Sequence, residues 1–147
     1  MTITISSFMI EAYDEVLTLW QQCEGIGLSS ADSRENIQSY LERNPGMSFL
    51  ARTQGLLIGA VLAGHDGRRG YIYHLAVHPN WRRQGFGRQL IDRCLQALKI
   101  AGIQKCHLFI FNDNIGGIDF WKSLGWEQRS DISVFSRTIE SGTGNDC

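Results

Sequence analysis

The stretch best suited to chemistry is HPNWRRQGFGRQLI, residues 78–91, where three arginines surround two glycines at the start of an apolar-striped helix. The glycines let the backbone approach a ligand closely, and the first N–H groups of the helix then point toward it. These groups and the positive end of the helix dipole form a seat for phosphate oxygens. Arg82, Arg83 and Arg88 add charge, since a guanidinium can hold a phosphate through two parallel hydrogen bonds. The stretch predicts an anion site, although an ordinary turn with solvated arginines fits the local pattern as well.

Two common phosphate motifs are absent from this stretch. The sequence has no G-x-x-x-x-G-K-[ST], and Leu90 stands where the dinucleotide fingerprint G-x-G-x-x-G requires its third glycine. A nicotinamide enzyme or a nucleoside-triphosphate enzyme is therefore disfavoured.

The elements that must position this site follow from hydrophobic periodicity and turn residues, which predict the order β-α-α-β-β-β-α-β-α-β. The long helix after the glycines faces inward with Leu90, Ile91, Cys94, Leu98 and Ala101. The predicted elements are a strand at 2–5, a helix from Met9 to Trp20, a helix within 29–46, strands at 47–53, 56–65 and 71–78, the long helix ended by Gly102, a strand at 105–111, a short helix at 116–125 and one or two closing strands at 126–139.

Length and charge narrow the class of protein. The 147 residues are 43% hydrophobic, which fits one domain over residues 1–140 with a frayed tail at 141–147. The net charge is −1, so no global field attracts nucleic acid or an anionic membrane, and we expect neither as a partner.

The start of the chain and the cysteines add two expectations. No basic segment followed by an apolar run opens the sequence, and the longest nearly apolar run is too short to span a bilayer, so we expect a cytoplasmic protein. The four cysteines, at positions 23, 94, 106 and 147, lie far apart without C-x-x-C spacing, which predicts free thiols and no metal site.

Two stretches carry a resemblance to a known family. YHLAVHPNWRRQGFGRQLI resembles the central motif of the GNAT superfamily of N-acetyltransferases, whose core is [QR]-x-x-G-x-[GA], here residues 82–87. NIGGIDFWKSLGW is similar to the second motif of the family, an Asn followed by an aromatic pair and then by Leu-Gly-aromatic. Both motifs occur in the expected order, with one helix and one strand between them, and the order of elements matches along the whole chain.

The resemblance implies an α/β fold with a mixed, mostly antiparallel sheet, helices on both faces and a splayed parallel strand pair in its centre, at YIYHLAV and KCHLFIF. Acetyl-coenzyme A would lie in this opening, with its pantetheine arm on the backbone of residues 75–77 and its pyrophosphate on the N–H groups of 83–88. The cofactor-binding residues implied are Leu75, Ala76, Val77, Arg82, Arg83, Gln84, Gly85, Phe86, Gly87, Arg88, Asn114 and Trp121.

The chemistry implied is direct transfer of an acetyl group to a primary amine. A neutral amine must attack, so a group must accept the ammonium proton. Many members use a Glu before the phosphate-binding stretch, where this sequence has Tyr73 and His74; we take His74 as the first candidate base, and a merely hydrogen-bonded histidine as the alternative. The family's usual Tyr acid is replaced by Trp121, whose indole only donates, so Tyr73 or a water is left as its replacement.

The sequence does not identify the acceptor amine, which can belong to a small molecule or to a protein N-terminus. Glu11, Asp14, Glu15 and Glu24 give the first helix an acidic cast that favours a cationic acceptor, and a solvated helix face explains them as well. The alternative function is that of a catalytically weak sensor or regulatory module that binds acyl-coenzyme A. This alternative is based on Trp121, which stands where the family has its Tyr acid. Exposed aromatic residues on the closing strands would permit a homodimer.

Overall fold

The computed structural model describes residues 2–140, so the predicted frayed tail at 141–147, with Cys147, lies outside the described residues. Five strands and four α-helices follow one another along this part of the chain in the order β-α-α-β-β-β-α-β-α, which is the predicted order without its closing strand. Their bounds are β1 Thr4–Ser7, α1 Tyr13–Gln22, α2 Arg34–Arg43, β2 Phe49–Thr53, β3 Leu56–His65, β4 Gly70–Val77, α3 Phe86–Ile100, β5 Cys106–Leu108 and α4 Ile115–Ser123.

The strands form one mixed sheet in the order β1-β2-β3-β4-β5. Every neighbouring pair is antiparallel except β4 and β5, which run parallel. Helices α1 and α2 cover one face and α3 and α4 the other, which confirms the predicted fold class. The hairpin between β3 and β4 is closed by Asp66, whose Oδ1 accepts the N–H groups of Arg68 and Arg69 at 2.8 Å each. Turn chemistry is thus the role of Asp66, as its Asp-Gly sequence favours.

Each face of the sheet has its own apolar core, because successive side chains of a strand point to opposite faces. Leu50 of β2 packs toward α1 and α2, whereas its neighbours Phe49 and Ala51 pack toward α3. The core on the α1 side is centred on Val16 and Trp20, both almost completely buried. The core on the α3 side contains Phe49, Ala51, Ile58, Val61, Ala63, Ile72, Phe86, Leu90, Ile91, Cys94 and Leu98.

Helix α3 follows its predicted stripe with one exception. Leu90, Ile91, Cys94 and Leu98 are buried as expected, but Ala101 is exposed because the helix ends at Ile100 and Ala101 serves as its C-cap. The thiols of Cys23, Cys94 and Cys106 are free, as their spacing predicts.

The predicted closing strands at 126–139 are not formed, and the strand expected at 105–111 is reduced to Cys106–Leu108. Among the described residues, none pairs with the outer edge of β5, so the parallel pair lies at one end of the sheet and not in its centre. The local sequence favours extended backbone, but a strand forms only by pairing with a neighbour, and residues 126–139 pair with no strand in this part of the chain.

Two searches of residues 2–140 complete the description. None of their helices combines the length and the apolar character that a bilayer span needs. No cluster of His, Cys, Asp and Glu in the same range has the geometry of a metal site.

We expect replacement of Leu90 by Ala to lower the free energy of unfolding by about 2–5 kcal/mol, because it removes a completely buried side chain and leaves a cavity between α3 and the sheet. Leu56→Ala is the matched control, since Leu56 is 57% exposed at the start of β3 and its truncation should cost about 0.5 kcal/mol or less. Urea denaturation followed by circular dichroism measures both, and equal losses would contradict this account of the core.

Candidate active site

A cleft opens in the sheet where β4 and β5 separate. Their parallel pairing covers only three residues and ends with Ile72 opposite Leu108. Beyond this point β4 continues to Val77 beside β3, while residues 109–111 leave the sheet. Residues 73–77 of β4 therefore lack a strand neighbour on the β5 side, and such an edge offers backbone groups to an extended ligand.

A β-bulge lies in β4 at the mouth of this cleft. Leu62 of β3 faces Tyr73 and Ala60 faces Ala76, so β4 contains one residue more than β3 between these two pairs. His74 takes up the extra residue with a φ of 51°, which is uncommon for a residue with a side chain. The bulge reverses the alternation of the strand: Ile72 packs on the α3 core and Ala76 on the α1 core.

Beyond the end of β4, the segment at 82–88, called the phosphate loop below, presents a row of unpaired N–H groups. Arg83 and Gly85 have left-handed φ angles of 62° and 83°, and α3 starts at Phe86 without a side-chain cap. The first helical hydrogen bond runs from the N–H of Gln89 to the carbonyl of Gly85. Within residues 2–140, none of the N–H groups of 83–88 donates to another group, so all of them are available to an anion.

The three arginines of the loop differ in what they contact. Arg82 donates from Nε to the carbonyl of Val77 at 3.0 Å and pairs through a terminal nitrogen with Glu24 at 2.5 Å. It thereby joins the end of β4 to the end of α1. Arg83 and Arg88 make no hydrogen bond or ion pair with any described residue, so their guanidinium groups are the ones free to meet a ligand.

His74 is paired with a buried carboxylate that the sequence reading missed. Its Nε2 lies 2.9 Å from Oδ1 of Asp32, and its ring contacts Trp20 edge to face with centroids 5.1 Å apart. Asp32 is itself fixed, because Oδ2 accepts the N–H of Ser29 at 3.0 Å in a capping box and its carbonyl accepts the hydroxyl of Tyr13. An ionised Asp32 requires the hydrogen on Nε2 of His74, which leaves Nδ1 as the atom that can accept a proton.

Tyr73 belongs to an aromatic strip along the mouth of the cleft, formed by Tyr40, Tyr71, Tyr73 and Phe109. Tyr71 stacks on Tyr73 at 6.4 Å and on Phe109 at 6.2 Å, and Tyr40 meets Tyr73 edge to face. Burial raises the pKa of Tyr73 above its usual value of 10, and Tyr71 adds to the shift. The hydroxyl of Tyr73 therefore stays protonated at neutral pH and can donate.

Comparison with known proteins assigns this arrangement to a family. A sequence profile described as the acetyltransferase (GNAT) family matches residues 13–126. The chain belongs to the GNAT family of acetyltransferases. It is 32% identical over 136 residues to an acetyltransferase of Pectobacterium atrosepticum, a match that covers 92% of this chain and 96% of the relative.

Solved structures confirm the GNAT fold. The PaiA N-acetyltransferase of Thermoplasma acidophilum, solved with coenzyme A, superposes with a TM-score of 0.78 at 18% identity and covers 90% of this chain and 94% of its own. The ribosomal-protein-S18-alanine N-acetyltransferase of Escherichia coli gives a TM-score of 0.72 at 21% identity, covering 88% and 80%.

As a GNAT protein the chain is an N-acetyltransferase, and acetyl-coenzyme A is its acetyl donor. The phosphate loop suits the phosphates of this molecule, because its N–H groups are unpaired and the space beside Gly85 is open. A Cβ added to Gly85 would have no neighbouring heavy atom within 4 Å. The surroundings of the other loop glycine are more crowded. A Cβ added to Gly87 would lie 3.3 Å from the side chain of Phe120 and 3.6 Å from that of Val77. Gly87 thus lets α3 approach both β4 and α4.

The second motif of this GNAT protein is placed as follows. Asn114 caps α4, accepting the N–H of Gly117 at Oδ1, and its amide nitrogen lies against Gly25 after α1. Trp121 is partly buried on the α3 side and packs on Trp126 with centroids 4.9 Å apart. Its neighbour Phe120, which the sequence reading did not single out, is the aromatic residue that contacts the position of Gly87 beside the phosphate loop.

The acidic cast of α1 has a structural explanation. Glu15 pairs with Arg52 at 2.8 Å, Glu24 with Arg82, and Asp14 approaches Arg34 at 4.0 Å. The Arg52 guanidinium lowers the pKa of Glu15, as the Arg82 guanidinium does for Glu24. Three of the four acidic side chains at this end of the chain are thus paired within the protein, and this pairing weakens their support for a cationic acceptor.

We expect the arginines of the phosphate loop to separate into two classes. Arg83→Gln and Arg88→Gln should each weaken coenzyme A binding about 3- to 10-fold at low salt without changing the free energy of unfolding, because neither side chain has a partner in the described chain. Arg82→Gln should instead lower that free energy by about 1 kcal/mol, since it removes the bond to Val77. Calorimetry and urea denaturation measure the two effects; binding lost only in Arg82→Gln would contradict the assignment.

Proposed function

We propose that this protein moves an acetyl group from acetyl-coenzyme A directly to a primary amine, acting as one domain over residues 1–140. The observation that carries the proposal is the meeting of three features at one end of β4: an unpaired strand edge at 73–77, unpaired N–H groups at 83–88, and the His74–Asp32 pair. The first two suit an extended donor with a pyrophosphate. The third suits the proton that the reaction must remove.

The donor is held by the backbone in this proposal. The edge at Leu75, Ala76 and Val77 hydrogen-bonds the pantetheine arm, and the phosphate loop binds the pyrophosphate through its N–H groups, with charge from Arg83 and Arg88. Gln84, Phe86 and Gly87 contribute through their backbone. Acetyl-coenzyme A supplies an acetyl group on a thioester. The proposed contacts of Asn114 and Trp121 with it rest on the family's second motif alone.

His74 is the proposed general base. An ammonium with a pKa near 10.4 has no lone pair at neutral pH, so the acceptor must lose a proton before its nitrogen can bond to the acetyl carbon. Nδ1 of His74 takes that proton directly or through a water, and the carboxylate of Asp32 stabilises the resulting imidazolium. Asp32 acts through His74 and is therefore a positioning residue.

Tyr73 is the proposed source of the proton for the leaving sulfur. When the carbon–sulfur bond breaks, the thiolate needs a proton, and the family's Tyr is replaced here by Trp121, which cannot act as an acid. The raised pKa of Tyr73 keeps its hydroxyl protonated. A parent thiol pKa of about 8.5 makes the thiolate a tolerable leaving group even without this help.

The acceptor is proposed to enter over the aromatic strip. Tyr73 directly precedes His74 on β4, Tyr71 stacks on Tyr73, and Phe109 is 59% exposed where β5 ends. Aromatic faces attract cations, so the strip suits an ammonium before it is deprotonated. Small molecules and protein N-termini both remain within the proposal, and a second copy of the chain is a further proposed partner. The cytoplasmic location expected from the sequence stays a prediction.

The donor site is tested by Gly85→Glu, whose carboxylate would repel phosphate from the loop. We expect the affinity for coenzyme A to fall at least about 100-fold. The new side chain would block the backbone N–H groups, and its charge would offset that of the nearby arginines. Gly67→Glu is the matched control: it has a similar φ, 93° against 83°, equally open surroundings, and a place at the other end of β4. Calorimetry on both variants checks the prediction, and equal binding in the two would overturn the site.

The base is tested by His74→Gln and Asp32→Asn in a thiol-release assay over a panel of amines. We expect kcat to fall about 10²- to 10⁴-fold for His74→Gln and about 10- to 100-fold for Asp32→Asn, with acetyl-coenzyme A binding unchanged. The double variant should be no worse than His74→Gln, since the two residues act as a unit.

The control for the base is His78→Gln, because the His78 side chain serves at a turn, where its Nδ1 accepts the N–H of Asn80. At neutral pH kcat should fall in His74→Gln and stay near the wild-type value in His78→Gln. Wild-type turnover in His74→Gln would eliminate the proposed base, and binding of the donor without turnover of any amine would favour the acyl-coenzyme A sensor.

A further inference from the structure

Two rows of rings lie side by side on the face of the sheet that α2 covers. Tyr71 and Tyr73 form the row on β4, where they stack at 6.4 Å. His107 and Phe109 form the row on β5, and their ring centroids lie 5.8 and 6.2 Å from that of Tyr71. Tyr40 of α2 meets Tyr73 edge to face, which assigns both rows to this face. Because the side chains of a strand alternate, residues two positions earlier along each strand share the face.

Each row begins with a cation at the end nearest the β3–β4 hairpin. Arg69 stands two residues before Tyr71, and Lys105 stands two residues before His107. Alternation therefore puts both cations on the face that carries the rings. The two are also neighbours, because Tyr71 pairs with His107 and the N–H of Gly70 donates to the carbonyl of Lys105 at 3.0 Å. The rows thus lead from the mouth of the cleft to two adjacent positive charges.

Helix α2 runs beside these rows from the proposed base to the hairpin. Asp32, just before the helix, pairs with His74 at 2.9 Å. Asn44, at the other end of the helix, accepts the N–H of His65 at 3.0 Å. The helix has 10 residues and is therefore about 15 Å long. This length is the distance between the cleft and the hairpin end of the rows.

The side of α2 that faces the rows is positive near the hairpin. With about 100° per residue, Ile37 and Arg43 lie about 60° to either side of Tyr40. Ile37 is buried in the core, so Arg43 projects outward past Tyr40, over the rows. Glu35 and Glu42 lie about 140° and 160° from Tyr40, which turns their carboxylates away from it. Within residues 2–140, Arg43 makes no hydrogen bond or ion pair.

The carboxylates near this end of the rows are already engaged. Asp66 accepts two backbone N–H groups in the hairpin turn. Asp131 approaches Lys105, but both of its oxygens accept from Arg129 at 2.8 Å. An excess of positive charge therefore remains. Its three members, called the cationic end below, are Arg43, Arg69 and Lys105.

We propose that the acceptor is the N-terminus of a polypeptide with acidic side chains at its fourth and fifth positions. The cationic end binds these acids while the terminal amine lies at His74. An extended chain covers about 15 Å with four to five residues, and the apolar side chains of its first three residues contact the aromatic strip. A compact amine with an adjacent acid is too short to reach both ends. This inference rests on the proposed function for the place of the amine.

Peptide binding in the presence of coenzyme A, measured by calorimetry at low salt, tests both charge and spacing. The hexapeptide amide AAFEEA should bind about 10-fold or more tightly than AAFKKA, and about 0.5 M salt should reduce this ratio several-fold. AEEFAA is the matched control, because it has the same composition and charge but carries its acids next to the amine. Equal affinities of AAFEEA and either other peptide would overturn the proposal, as would no binding of AAFEEA.

Charge reversal tests the residues assigned to the cationic end. Arg69→Glu and Lys105→Glu should each weaken AAFEEA binding about 3- to 10-fold, and the combined variant should prefer AAFKKA. Lys99→Glu is the control, since Lys99 is exposed at the same end of the molecule but on α3, across the sheet. Unchanged affinity for coenzyme A shows that the variants are folded. A combined variant that still prefers AAFEEA would contradict the assignment.

Turnover separates this inference from the proposed chemistry. In a thiol-release assay, kcat/KM should favour AAFEEA over AAFKKA by about the ratio of their affinities. Selective binding of AAFEEA without acetylation would count against the proposed function and leave the acidic-peptide site standing. Acetylation of all three peptides with equal kcat/KM would leave the proposed function standing and overturn the inference.

Discussion

Beyond Ile72, β4 keeps its hydrogen bonds to β3 but loses those to β5, and the geometry of the site follows from this asymmetry. A sheet normally satisfies its backbone groups on both edges of an interior strand. Here the separation leaves the edge at 73–77 without a strand on one side, at the point where the chain turns into the phosphate loop. The unpaired strand edge and the uncapped start of α3 therefore adjoin each other, and one extended ligand with a charged end can satisfy both.

The bulge at His74 adds a second constraint. One extra residue in β4 moves the side chains beyond it to the opposite face, so the histidine reaches Trp20 and the buried carboxylate of Asp32. Asp32 comes from a turn before α2, held by its capping box with Ser29 and by the hydroxyl of Tyr13. Trp20 of α1 and the turn before α2 thus fix the orientation of the imidazole.

Charge in this protein is largely matched in pairs. Arg82 is used to join β4 to the end of α1 through Val77 and Glu24, and Arg52 neutralises Glu15. What remains for a ligand is local: two unpartnered arginines and a row of N–H groups at the phosphate loop. A chain with a net charge of −1 thus keeps two unpaired cations and several free N–H groups together at residues 82–88.

The sequence by itself determined the family, the order of the elements up to α4, most of the inward stripe of α3 and the glycine-containing turn before it, because each depends on residues close together in the chain or on a short motif. It also indicated His74 as a candidate residue for the site. The partner of that histidine, Asp32, could not be predicted from the sequence, since only the folded chain brings the turn before α2 next to β4. The internal role of Arg82 was missed for the same reason. Residues 126–139 have the composition of strands, yet a strand exists only where another strand offers its edge, and that choice belongs to the tertiary structure.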